Sequence, residues 1–286
     1  MSEINKVPVV RNDQKIKIDS LAFTKDKLRK FCDILQERAL AAAELEVEIY
    51  IQTVGKDKAV DDDILKLRQG FQLKVNLVGN GGVTLWGSIP EVFSSVNFPI
   101  HVESLFIDSK TPLKVTHNYH PHNELTVFLQ FSKPKIFDFT VLPGNETPNE
   151  SNVAVCGSNP TWVNGVFHEL VSFINAHPAP VRFVHKQSVY DLVMFTFNIP
   201  VAFYVCYRLQ GSLNGITDTF IRNTLYVYIF CFVLIFFRCL FHYARWVFPR
   251  VDYVTPDNRT KAHQATIISI IVGMFGKLLY DLLNAI

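Results

Sequence analysis

Charge is scarce in this chain, and one sign of it runs out. Only 19% of the 286 residues are Asp, Glu, Lys or Arg, against about 25% in an ordinary soluble domain. No glutamate follows Glu169. With 49% hydrophobic residues, this composition excludes a disordered chain, a collagen-like chain and a polar nucleic-acid tail. Cysteine is sparse and odd in number: Cys32, Cys156, Cys206, Cys231 and Cys239, with no C-x-x-C pair. That is not a disulfide framework, and it suits a reducing compartment. Catalytic signatures are missing too. There is no G-x-S-x-G, no H-E-x-x-H and no G-x-x-x-x-G-K-[ST]. Met1 to Asp19 lacks an apolar h-region, so no secretory signal is expected there. The first apolar segment long enough for targeting begins near Val189.

What the chain does contain is unevenly spread. Residues 1–180 hold 18 basic and 21 acidic residues, whereas residues 181–286 hold 10 basic residues and 5 aspartates. Few acids, scattered arginines and many aromatics describe a membrane region with basic flanks. A nucleic-acid surface would cluster its arginines. Here long apolar runs separate them, so no nucleic acid is expected as a partner.

Three segments approach the roughly 20 apolar residues that a spanning helix needs: 189–207, 223–244 and 265–283. The middle one contains LYVYIFCFVLIFF, apolar on every face of a helix. Pro200 is expected to kink the first. Arg182, Lys186, Arg245, Arg250, Arg259 and Lys261 would flank the inner side, and only Arg208 and Arg222 the outer loop. That bias puts the N-terminal part in the cytoplasm. The expected location is the plasma (inner) membrane, with the lipid bilayer as a partner. The polar residues of the spans are Asn198, Arg238, Lys277 and Asp281. Arg238 has a stem long enough to snorkel to the headgroups, and Lys277 and Asp281 share a helix face. Ser269, Gly273 and Gly276 offer the small-residue face that lets helices associate.

The N-terminal part reads differently. Thr24 is a candidate N-cap for a helix with Leu28, Phe31, Cys32, Leu35 and Ala39 on one face. The alternation in Glu46–Gly55 predicts a strand after it. Asp61, Asp62 and Asp63 would start a short helix. Strands are expected at 71–79, 83–87, 100–108, 113–119, 124–131, 136–142 and 152–157, and a second amphipathic helix at 160–176. The fold expected is an α+β domain, mostly antiparallel sheet with flanking helices, followed by an all-α transmembrane region of three helices. The boundaries are 1–19 for a polar tail, 20–177 for the cytosolic domain, 178–188 for a junction stiffened by Pro178 and Pro180, and 189–286 for the transmembrane domain.

Several local clusters are candidates for chemistry. Gly79-Asn80-Gly81-Gly82 precedes another strand pattern, so it reads as a hairpin turn rather than a phosphate loop. His117, His120 and His122 are weak metal-site candidates without a second ligand cluster, and a solvated hairpin tip is the simpler reading. Cys156 has no placed catalytic partner. The polar loop at 143–151, with Asn145, Glu146, Thr147 and Asn149, is a candidate binding loop. Its glycosylation sequons, like the one at Asn258, mean nothing on a cytosolic face. No catalytic residue, metal or cofactor is expected.

The leading expectation is a non-enzymatic integral membrane protein. Its cytosolic domain would bind a partner or ligand and couple it to a self-associating helix bundle, as in a sensor–effector. One rival is an accessory or anchoring subunit of a larger membrane complex. The other is a membrane-bound enzyme acting on a lipid or nucleotide, with His117, His120, His122 and Glu124 as its first suspects.

Overall fold

The computed structural model describes residues 10–134, 147, 149–255 and 259–284. They belong to two units. The first combines Met1–Ser132, Asn149–Ala179 and Val251–Thr255, and the second Lys133–Pro148, Pro180–Arg250 and Pro256–Ile286.

The first unit is an α+β domain. Its elements are β1 (Asn12–Lys17), β2 (Leu21–Phe23), α1 (Lys25–Val54), α2 (Asp61–Gly70), β3 (Lys74–Gly79), β4 (Thr84–Ser88), α3 (Ile89–Ser94), β5 (Val102–Asp108), α4 (Lys110–His117), β6 (Glu124–Gln130), β7 (Asn152–Gly157) and α5 (Pro160–Asn175). Six strands form one antiparallel sheet in the order β1-β7-β6-β5-β3-β4. Alternation gives that sheet two faces. Val75, Leu77, Leu105, Ile107, Val127, Leu129, Val153 and Val155 are buried in one core with Leu28, Phe31 and Leu35 of α1 and Val163 and Leu170 of α5. Arg38 of α1 clamps Glu169 of α5 with two hydrogen bonds, at 2.5 and 2.9 Å.

Three expectations for this unit need correction. First, α1 does not stop before Glu46–Gly55. Its buried residues run on as Ala39, Ala42, Ala43, Glu46, Val47 and Tyr50, a helical period, so packing of Val47 and Tyr50 overrides the local alternation. Second, residues 113–117 are helical. Asp108 accepts bonds from the Lys110 and Thr111 N–H groups at 3.0 and 3.3 Å, and left-handed Asn118 ends the helix. Third, the polar tail contains β1, an edge strand whose Ile16 alone is apolar. The hairpin reading of residues 79–82 matches the structure: β3 and β4 pair antiparallel across a tight turn, with positive φ at Gly81 and Gly82. The segment 136–142 lies outside the described residues.

In the second unit, α6 (Gln187–Val193), a π-helical turn (Met194–Asn198) and α7 (Ile199–Leu213) form one continuous helix. The wide turn, in which the Ile199 N–H bonds Met194 O, lies just before Pro200, which has no N–H to give. Asn198 is buried there and donates to the Met194 sulfur. An antiparallel partner follows, α8 (Thr219–Val247), capped by Asp218. Phe203 and Phe230 meet at 4.9 Å. After β8 (Val251–Tyr253), which belongs to the first unit, comes α9 (Arg259–Asn284).

Two helices are long and apolar enough to cross a membrane, Gln187–Leu213 with 27 residues and Thr219–Val247 with 29. At 1.5 Å per residue each spans about 40 Å, more than the roughly 30 Å of a hydrocarbon core. Only 17% and 6% of their most apolar stretches are buried against the chain, the opposite of a core helix. The expected third helix does not reach the same measure over its described residues. Arg259, Lys261, His263, Gln264, Lys277 and Asp281 dilute it.

Candidate functional site

The sequence of the first unit is interrupted by Pro180–Arg250, and one short strand holds both ends of the interruption. At the exit, the Ala22 N–H donates to His177 O at 2.9 Å and the Ala179 N–H to Ser20 Oγ at 2.8 Å. At the return, β8 pairs in parallel with β2, Leu21 beside Val251 and Phe23 beside Tyr253. The Val254 N–H then donates to Phe23 O at 2.8 Å. Residues 20–23 therefore bind the chain where it leaves the domain and where it comes back. Leu21, Phe23 and Val251 are buried, and the Phe23 ring lies 5.5 Å from Phe31 and 5.8 Å from both Phe173 and His177. Burial, reinforced by Asp26, pushes the Tyr253 hydroxyl up to about 12.

Within the second unit, polar side chains gather near the C-terminal end of α8. His185 Nε2 lies 2.6 Å from Phe248 O, which requires that nitrogen to donate. Its Nδ1 then accepts from the Thr147 hydroxyl at 3.0 Å. This is a neutral imidazole. Burial brings its pKa down to about 4, with Arg245 and Arg250 acting in the same direction against the carbonyl bond. Arg245 donates to Val184 O at 3.0 Å and lies 4.9 Å from the Phe241 ring and 5.6 Å from Tyr190. Arg238 lies 6.0 Å from the same tyrosine ring. Arg238, His242 and Arg245 are all buried on α8. Arg238 itself is only 4% exposed.

The histidine cluster comes apart. His120 is exposed, and the side chain of His117 lies outside the described residues. The loop after α4 instead closes on Glu46. Its carboxylate accepts from Tyr119 Oη at 2.6 Å, from the His122 and Asn123 N–H groups at 2.7 Å each and from Asn123 Nδ2 at 3.1 Å, and pairs with His122 Nδ1 at 2.9 Å. No three His, Cys, Asp or Glu side chains converge as a metal site among the described residues. The segment is thus a loop between a helix and a strand, tied down by a carboxylate, and not the tip of a hairpin.

This pairing has a pH signature. The bond to Glu46 raises the His122 pKa, opposed by burial and Arg11. His122 therefore binds its proton more tightly folded than unfolded. The resulting stability is fully present below about pH 6.5 and is lost as pH rises through the folded value. Denaturant midpoints measured between about pH 6 and 9 should fall more in the wild type than in His122→Asn.

The other residues singled out from sequence are dispersed. Asn145 and Glu146 lie outside the described residues. Thr147 and Asn149 are buried; Asn149 donates to Gln130 O at 3.1 Å and accepts from the Ser151 N–H at 2.8 Å. Ser269, Gly273, Gly276 and Lys277 are exposed on α9. Asp281 is helical, its side chain outside the described residues. Sequence reasoning missed Ser20–Phe23, Glu46 and His185, and it read Arg245 only as part of a basic flank. The paired strands are the three-residue segments LAF and VDY, too short to show a period. No family model, curated protein or solved structure matches this chain.

Proposed function

We propose that this protein is a non-enzymatic integral membrane protein that transmits the state of a cytosolic α+β domain to a membrane-inserted helical hairpin. One observation carries the reading: β2 binds both ends of the segment that contains the two long apolar helices. Two ends held by one strand lie on one side of a bilayer, so the segment between them crosses an even number of times. Arg182, Lys186, Arg245 and Arg250 then flank the inside and Arg208 and Arg222 the outside, in keeping with the basic-residue bias. The domain's ligand or protein partner would act by shifting β2 and moving both helix ends together. In this reading α9 adds a third crossing, with its small-residue face free to associate with another copy or a partner protein.

Cysteine mapping tests this. In a background with the native cysteines replaced, a membrane-impermeant maleimide should label Gly215→Cys in intact cells. It should label Asn12→Cys only after permeabilisation. Equal labelling of the two positions in intact cells would end the hairpin reading, and Asn284→Cys reports in the same way on α9.

A further inference from the structure

The two edges of the sheet differ in chemistry. The edge strand β1 carries Asp13, Lys15 and Lys17, charges of the kind that discourage strand pairing. At the other edge β4, with the sequence TLWGS, carries none. The Gly79 N–H donates to Val83 O at 2.7 Å, and the register continues through Leu77 with Leu85 and Val75 with Gly87. In an antiparallel ladder this alternation binds Leu85 and Gly87 to β3 and turns the N–H and C=O of Thr84 and Trp86 outward. The Ser88 N–H, next in that series, is taken by Glu91 at 2.8 Å. The outward groups of Thr84 and Trp86 have no such partner among the described residues.

Side chains point to the same edge. Phe128, Phe106, Asn76 and Trp86 stand side by side on four neighbouring strands, on the face turned away from the core. Phe106 is 40% exposed, Asn76 is half-buried, and Trp86, at the edge, is 71% exposed. The outer face thus ends, at an exposed tryptophan, on an uncharged edge with open hydrogen-bonding groups.

We propose that β4 is a dimerisation edge that pairs antiparallel with β4 of a second copy of this chain. With Leu85 on the two-fold axis, Thr84 faces Trp86 of the partner subunit and the reverse. The outward groups of both strands are then satisfied by four N–H···O bonds, and the two Trp86 side chains lie on the same face, diagonally across the axis. A second copy fits because the strand is its own complement. It is neutral, so like charges do not meet across the axis, and the two residues that offer bonds exchange places under the rotation. The edge does not depend on how the hairpin lies in a membrane, so failure of the cysteine mapping leaves it standing.

The test is native mass spectrometry of the full chain in mild detergent over a concentration series. The wild type should be dimeric. Thr84→Pro removes an outward N–H and no bond to β3, and Val83, at φ −67° and ψ 120°, suits the residue before a proline. Trp86→Lys places a charge on the edge at an exposed position. Each should weaken the dimer at least about tenfold, roughly 1.4 kcal/mol, and the second keeps the test open if the first misfolds. A wild type that stays monomeric, or is found only with a different protein, overturns the proposal. So does a dimer that both variants leave intact, including one that Gly273→Leu abolishes, which would place the contact on α9.

Discussion

Replacing Glu46 with alanine should lower the stability of the α+β domain by about 3–5 kcal/mol, the usual cost of stripping a buried charged group from its partners. The carboxylate is fully buried and gathers donors from Tyr119, His122 and Asn123. Removing it leaves those donors without an acceptor in a place water does not reach. For a domain of this size the midpoint should fall on the order of 10 °C, measured by thermal unfolding of the full chain in detergent. Glu46→Gln should cost less. It keeps one oxygen for the two backbone N–H groups but puts an amide NH2 where an acceptor is needed. His122→Asn should cost least, since it removes one of several bonds. A drop of only a degree or two for alanine would mean that the loop after α4 is not held by this residue.

The second large effect is expected at β2. Phe23→Ala empties a site among Phe31, Phe173 and His177, and large aromatic truncations of this kind cost about 3–5 kcal/mol. Val251→Asp acts on the returning strand by placing an unpaired carboxylate at a position only 1% exposed. Val254→Asp, two residues beyond Asp252 and partly exposed, is the control. Limited proteolysis should cut Val251→Asp near residues 248–258 well before the control or the wild type. Equal cleavage would show that β8 is not a fixed part of the domain. In the proposed mechanism Val251→Asp also uncouples one end of the hairpin while Ala179 stays bound to Ser20.

The parts legible in the sequence were those with a strong local signal. Strands β3, β6 and β7 alternate cleanly, because one face of each packs into the core. Thr24 and Pro160 mark helix starts by their capping chemistry. The long apolar run in α8 falls within one helix of 29 residues. The errors share a cause, which is distance along the chain. Glu46–Ile51 alternates like a strand, and only its packing, with Tyr119 and Asn123 more than 70 residues away satisfying Glu46, makes the helical reading right. Residues 113–117 alternate as well, but Leu113 is buried while Val115 is exposed, and the decisive cap sits in Asp108. Strands β2 and β8 are three residues each, below the length at which any period can be read, and they become strands only because they find each other across more than 200 residues. The small-residue face and the histidine cluster were visible as patterns, yet a pattern carries no information about which side chain turns toward which.

The pairing of β2 with β8 also has a consequence for biosynthesis. A ribosome releases residues 1–179 before it has made Val251–Thr255, and domains usually fold from the N-terminus as they emerge. This domain cannot finish in that order. While the two apolar helices are being made, β2 has no β8 beside it, and Leu21 and Phe23 lack part of their cover. Completion of the α+β fold therefore waits until the two apolar helices have been synthesised and the chain beyond them brought back. A nascent chain stalled before Val251 should remain open at β2, and it is at that stage that a chaperone would find this protein.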